Sequence, residues 1–407
     1  MSKALLKTLI LSAVALTAVP AFAFDFQPSL QADVRAGDVN MKNPPSNDFA
    51  WNGQVVFAPA MQLNDRNSLL PVFAYLVQSS DAVVEEDSFF VEDHLFLAKP
   101  ELIHVLNSDW NLKAWGDARR AVTMESYQAP WSTGVYDYEQ FGGGAGATWK
   151  TDSPRLASVD LGLEVLHRGY PNWHEIAGTA LSPTGAVVGG QNYYDKDYVG
   201  YQLTVGLNGQ RNGQWTWTAN LTYLDRDYTD ALVETANGYQ VGDSLRRDHF
   251  GDLDAHLSRT MAYFLLDLTG ELTGNLSNAN GLDAGAAQYI PGFYDYLSEE
   301  AGLALTYAPR GGNGPSITAS ASLLNRYYSG PNDSGRQILN PNGKYALGKE
   351  DDVEQRYHLD GRWPILWHLA VVANVDYTIA RSNEYQLNGY RPGYDLIQAM
   401  AGLQYKL

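Results

Sequence analysis

Hydrophobic and polar residues alternate singly along most of this chain, the period of a β-strand with two unlike faces. In "QWTWTANLTY", Trp215, Trp217, Ala219, Leu221 and Tyr223 stand against Thr216, Thr218, Asn220 and Thr222. "VDLGLEVL" sets Val159, Leu161, Leu163 and Val165 against Asp160, Gly162 and Glu164. The chain closes in the same way, with Ile397, Ala399, Ala401, Leu403, Tyr405 and Leu407 forming one row. A helical period fits none of these stretches. Turn signals divide the sequence into about sixteen predicted strands: 26–40, 49–63, 68–79, 89–106, 111–127, 134–149, 156–168, 192–207, 215–227, 243–258, 262–276, 293–308, 316–328, 350–362, 367–381 and 391–406. Short polar connections such as 64–67, 107–110 and 150–155 alternate with longer ones near 41–48, 80–88, 128–133, 169–191, 228–242, 277–292, 329–349 and 382–390. That rhythm predicts an all-β fold, a transmembrane antiparallel β-barrel with short periplasmic turns and longer extracellular loops. Lipid cannot satisfy a free strand edge, so such a sheet must close on itself. An even strand count places both ends of the barrel domain on the periplasmic side.

Aromatic residues sit where such a barrel meets the headgroups. Trp149, Trp215, Trp217, Tyr223, Tyr307, Tyr327, Trp363, Tyr377 and Tyr405 all lie near predicted strand ends. Residues 1–23 read as a cleaved secretory signal peptide, with Lys3 and Lys7 before a short apolar run and "AFA" at the cleavage site. Residues 24–407 then form a single barrel domain. The formal net charge of −18 becomes two units more negative once Lys3 and Lys7 depart, a balance that opposes nucleic-acid binding. The chain has 0 cysteines, which excludes disulfides, thiolate metal sites and a thiol nucleophile.

If the apolar row faces lipid, the other row faces a lumen. On that row lie Asp117, Arg119, Asp160, Glu164, Arg246, Asp248, Asp252, Asp254, His256, Asp267, Glu271, Glu300, Arg326, Arg356, His358, Asp360, Arg362 and Asp376. These are the candidate pore-lining residues. They either pair as acid–base ladders across a wet interior or set the field through which a solute passes. The excess of acid favours cations, although part of it falls in loop segments such as "DAVVEEDS" and "GKEDD". Loops 169–191 and 329–349 are the candidates for a constriction. The run "GGGAG" at 142–146 lies inside a strand, with no helix after it to hold a phosphate, and marks a bend or a close approach to the wall. The 8 histidines show no metal-ligand spacing. No catalytic, metal or cofactor site is expected, and no cofactor.

The layout resembles the Gram-negative outer-membrane β-barrel superfamily over the whole mature chain. The final strand "LIQAMAGLQYKL" is similar to the C-terminal signal by which such barrels are delivered for assembly, with Tyr405 at the aromatic position and Leu407 where Phe is usual. That resemblance implies a porin-like barrel in the outer membrane, contacts with membrane lipid and lipopolysaccharide, and the barrel-assembly machinery as a partner. The implied function is passive diffusion of small hydrophilic solutes, to which the acid excess adds a cation preference. A recurring pattern, a Ser-Asn loop start ("NLSN", "ARSN") followed by a strand opened by Tyr-Asp, also faintly resembles the barrels of polysaccharide and lipoprotein exporters. This leaves two alternatives open. One is the exit barrel of an envelope export or secretion assembly, with a periplasmic partner. The other is a structural or adhesive barrel.

Overall fold

The computed structural model describes residues 25–42, 45–84, 87–124, 130–173, 196–211, 214–234, 240–283, 288–309, 314–330, 335–339, 345–383 and 393–407. The proposed leader, 1–23, lies outside them. Sixteen long antiparallel strands close into one barrel. They are β1 (Leu30–Lys42), β2 (Pro45–Phe57), β3 (Asn67–Val84), β4 (Asp87–Val105), β5 (Trp110–Met124), β6 (Tyr138–Ser153), β7 (Leu156–Gly169) and β8 (Tyr198–Arg211). Then follow β9 (Trp215–Glu234), β10 (Gln240–Met261), β11 (Phe264–Ser277), β12 (Tyr296–Tyr307), β13 (Ser316–Tyr327), β14 (Asp351–Leu366), β15 (Leu369–Ser382) and β16 (Tyr394–Lys406). Each strand pairs with its sequence neighbours, and β1 pairs with β16 from Gln31↔Lys406 to Met41↔Leu396. That last seam leaves no free edge in the barrel wall.

The register sorts the side chains. Outward-facing Leu163, Val165, Tyr201, Leu253, Leu303, Ile317, Leu359 and Leu403 are all exposed, because only lipid is there to cover them. On the opposite face, ion pairs join strands that are not neighbours. Arg35 on β1 reaches Asp360 on β14 at 2.9 Å, across β15 and β16. Lys113 on β5 reaches Asp160 on β7 at 2.9 Å, across β6. Such pairs can form only on the concave side, so the charged row lines the interior. An apolar exterior over a charged interior is the inverse of a soluble domain, and it makes this a transmembrane barrel of the outer-membrane type.

Two aromatic girdles frame the apolar band. At the periplasmic edge Trp110 stacks on Trp149 (6.2 Å), and Phe264 packs on Tyr307 (5.1 Å). Toward the outer edge Tyr357 stacks on Tyr377 (6.3 Å) and Tyr223 on His249 (6.2 Å).

All the expected strands are present, but several run farther than the hydrophobic pattern. β3 continues to Val84, β4 starts at Asp87, β9 runs to Glu234 and β10 begins at Gln240, where loops 80–88 and 228–242 were expected. Above the bilayer both faces of a strand meet water, so polar residues occupy both and the alternation fades while the backbone ladder persists. At the other end, the first expected strand is divided. Asp25–Gln27 pairs separately with Ala60–Asn64, which is itself cut off from β2 by Ala58 and Pro59.

Leu163 sits at the middle of β7 with its side chain in the lipid. Replacing it with Arg is expected to cost about 2–4 kcal/mol, whereas Thr222→Arg, on the inner face, is expected to cost less than about 1 kcal/mol. Reversible denaturant unfolding in phospholipid vesicles measures both.

Candidate functional site

The interior is built from three arrays of side chains. The first joins β1 to β14–β16. Arg35 Nε donates to Asp33 Oδ1 and Arg35 Nη1 to Asp360 Oδ2 and Asn374 Oδ1, each at 2.9 Å. Gln404 then links Asp33 to Arg362: its amide donates to Asp33 Oδ2 at 3.1 Å, and its carbonyl accepts from Arg362 Nε at 3.0 Å. His358 pairs with Asp376, and Arg356 with Glu354 and, at 3.7 Å, with Glu300. This wall is a mesh in which almost every charge has a counter-charge.

The second array lies on β5–β7. Trp115 Nε1 donates to Glu164 Oε2 at 2.9 Å, reaching over β6. It can do so because Gly144 and Gly146 of the "GGGAG" run, and Gly162 beyond them, leave the wall bare beneath the indole; a Cβ on Gly162 would lie 3.1 Å from the ring. The glycines therefore mark the close approach the sequence suggested, and the approaching group is Trp115. Above it, Arg119 grips Asp117 at 3.0 Å, Gln140 donates to Asp117 Oδ1 at 2.7 Å, and Arg168 donates to Gln140 Oε1 at 2.6 Å.

The third array crosses β6–β13 and has two levels. At the outer mouth, cations and rings alternate. The Arg168 guanidinium lies 4.5 Å from the Tyr138 ring and 5.7 Å from Tyr198. Arg226 lies 5.7 Å from Tyr198 and 5.0 Å from Phe250, and Arg326 lies 5.3 Å from Tyr296. Arg246, bound to Asp248 at 2.6 Å, sits 4.5 Å from Tyr228 and 3.6 Å from Tyr294. Such pairs contribute about 0.5–2 kcal/mol each and hold the guanidinium groups in fixed positions. Leu166, Tyr198, Leu224 and Tyr228 pack into a small core behind them.

Below this mouth, β10–β12 carry an acidic wall. Glu271 is in register with Asp254 and Glu300, and Asp252 with Thr273. The single Thr273 hydroxyl proton is shared between Asp252 (3.0 Å) and Glu271 (2.9 Å), and Asn220 donates to Asp254 (3.0 Å). Among the described residues, none of these three carboxylates has a Lys, Arg or His within 4.0 Å. Asp267, by contrast, meets His256 at 2.9 Å. The register sets seventeen of the eighteen candidate residues on the row opposite the apolar one, and Arg246, beside the irregular stretch of β10, joins Asp248 of that row; some form paired meshes, and a few form an acidic group without a basic partner among the described residues.

Arg35, Lys113, Trp115, Arg168 and Arg226 were not among the candidates. A recurrent sequence signal points to the mouth where two of them lie. Gly134-Val-Tyr-Asp137-Tyr138 and Gly292-Phe-Tyr-Asp295-Tyr296 share one pattern, and Asp197-Tyr198 repeats its end. In each case the Asp carboxylate accepts a backbone N–H at the end of the preceding upward strand or just beyond it: Thr123 (2.8 Å), Ser277 (2.7 Å) and Tyr170 (2.6 Å). The following Tyr opens a downward strand and meets an Arg. The Ser-Asn repeat is a matching clasp. Asn278 accepts from Arg247 N (2.8 Å) and donates to Leu245 O (3.1 Å), while Asn383 accepts from Asp351 N (2.9 Å) and donates to Lys349 O (2.9 Å).

Of the two loops considered for a constriction, most of 169–191 lies outside the described residues. The other, 329–349, is tied to the loop before β12 through Gly335 N to Pro291 O (2.9 Å) and Arg336 Nε to Phe293 O (3.1 Å). Among the described residues no group of three or more His, Asp or Glu is arranged to hold a metal ion.

No family model matches this chain, and no curated protein does. Solved structures overlap it along most of its length. Pseudomonas aeruginosa OccK2 (OpdF), in complex with glucuronate, is 12% identical at a TM-score of 0.44, over 94% of this chain and 98% of that one. Acinetobacter baumannii OccAB3 is 6% identical at 0.44, over 93% and 99%. A loop L8 deletion mutant of OmpT, an outer membrane protein of Vibrio cholerae, is 9% identical at 0.40, over 94% and 99%. The faces and pairings above rest on this chain's own register.

Two predictions follow from local geometry. Gly162→Val, which crowds the indole, is expected to destabilise the barrel by about 1–3 kcal/mol, and by much less in a Trp115→Ala background; denaturant unfolding of the four-variant cycle measures the coupling. Burial holds the Asp295 carboxyl above the usual range, against the lowering effect of the Ser277 N–H, with Asp248 adding to the rise. The folded mouth therefore binds this proton more tightly than the unfolded chain, and stability is lost as pH rises from the ordinary carboxylate range through the raised value. Asp295→Asn keeps an acceptor for Ser277 N, so Ser277 amide protection, corrected for intrinsic exchange, is expected to become independent of pH across that window.

Proposed function

We propose that this protein is a passive outer-membrane channel for small hydrophilic solutes, with a modest preference for cations. The supporting observation is the inner wall, where charged and polar side chains run from the Arg35–Asp33–Gln404–Arg362 mesh near the periplasmic end to the Arg168–Arg326 row at the mouth. A sixteen-stranded barrel is wide enough that side chains leave an aqueous lumen, and a wall of fixed charges replaces part of a solute's hydration. Charges that pair with one another contribute little net field. The three carboxylates Asp252, Asp254 and Glu271 then supply the largest uncompensated potential at mid-barrel, and it draws cations. The stacked arginines at the mouth act against this, which is why the preference is modest. No covalent step or cofactor belongs to this reading. The same proposal has the barrel delivered by the assembly machinery through its last strand, and surrounded by phospholipid and lipopolysaccharide.

In planar bilayers the purified protein is expected to conduct, with a reversal potential under a KCl gradient that reports K⁺ preference. Neutralising the mid-barrel wall with Asp252→Asn, Asp254→Asn and Glu271→Gln is expected to abolish or reverse that preference while conductance persists. Absence of current, or anion preference in the unaltered protein, contradicts the reading.

A further inference from the structure

We propose that the periplasmic rim of the barrel carries a binding site for the phosphate of an anionic glycerophospholipid, on the outer surface at the feet of β8–β10. Arg211, Trp215 and Arg259 stand side by side across these three strands, in direct register. One pair higher lie Gly209, Trp217 and Leu257. Arg211, Trp215, Trp217 and Leu257, together with Arg155 from the β6–β7 turn, border an open groove of about 860 Å³, and Arg259 stands beside its Trp215 wall.

The floor is fixed. Trp217 Nε1 donates to Arg155 O at 3.1 Å, which draws the indole flat over Gly209, where any Cβ would overlap the ring. The Arg259 guanidinium lies 5.0 Å from the Trp215 ring, and its buried Nε has no hydrogen-bond partner among the described residues. Trp215 and Trp217 belong to the girdle at headgroup level, so the groove opens where lipid phosphates lie.

Charge identifies the occupant. Three outward arginines near the outer rim each hold a carboxylate: Arg120 with Glu139 at 3.3 Å, Arg247 with Asp227 at 3.1 Å, and Arg381 with Asp395 at 2.6 Å. Arg155, Arg211 and Arg259 have none within 4.0 Å among the described residues, in a chain of net charge −18. Strand spacing sets the Arg211 and Arg259 backbones about 10 Å apart, a span two guanidinium side chains can close onto one phosphate. The apolar side of the groove, Trp217 and Leu257, then receives the start of the acyl chains.

Native mass spectrometry of the full barrel, released from micelles containing equal phosphatidylglycerol and phosphatidylcholine, tests the site. The unaltered protein is expected to retain one phosphatidylglycerol in preference to phosphatidylcholine, whose choline cation the arginines disfavour. The Arg155→Gln/Arg211→Gln/Arg259→Gln variant is expected to lose that retention by at least about tenfold. Arg120→Gln/Arg247→Gln/Arg381→Gln is expected to keep it. Equal retention by the first variant, equal binding of the two lipids, or full displacement by millimolar inorganic phosphate would overturn the proposal. Heat-modifiable migration confirms that each variant is folded, and the result does not depend on whether the barrel conducts.

Discussion

Hydrocarbon offers a peptide group no hydrogen bond, and that single constraint organises this molecule. Every strand crossing the bilayer must be paired on both edges, so the first and last strands must meet. They do, from Gln31↔Lys406 up to Met41↔Leu396, with Leu407 N donating to Leu30 O at 2.8 Å below them. Closure then fixes two surfaces with opposite requirements. The outer one must be apolar because ions cannot be solvated there, and the inner one is free to be polar because it holds water. The strict alternation of the sequence is the consequence, and a slip of one residue in any strand would exchange the two faces.

The inner surface divides into regions with different jobs. Near β1 and β14–β16 the charges are neutralised in pairs that bind non-adjacent strands and stiffen the wall. At the mouth, guanidinium groups held between tyrosine rings form a rigid rim, anchored by Asp137, Asp197 and Asp295 to the backbone of the preceding loops or strands. Between them, Asp252, Asp254 and Glu271 remain without basic partners among the described residues. Ion pairing within a wall cancels most of its field, so under the proposed channel function the few groups without a basic partner would set the selectivity more than the many paired ones.

The barrel itself was legible because lipid enforces the period-two pattern wherever it touches the chain. Each crossing strand announced itself, and the charges opposite the apolar row fell on the inner face. Strand length was not legible everywhere beyond the bilayer: from Gln78 to Ser80 polar residues occupy both faces, although the ladder continues through Asp81↔Phe90. Pairing within the lumen was also hidden, since Arg35 meets Asp360 from 325 residues away only because the barrel closes. The mouth was half-legible. The Tyr-Asp and Ser-Asn repeats were visible as strings, but their role as backbone clasps depends on which N–H groups the strand ends leave free.

The central claim is that lipid lies outside this wall and water inside, and the absence of native cysteine allows a clean test. Single substitutions Asp160→Cys, Leu161→Cys, Leu163→Cys and Glu164→Cys, in protein reconstituted into vesicles, can be probed with a small water-soluble thiol reagent. The account predicts rapid labelling at positions 160 and 164 and protection at 161 and 163. Labelling at 161 and 163, or equal protection at all four, would contradict it.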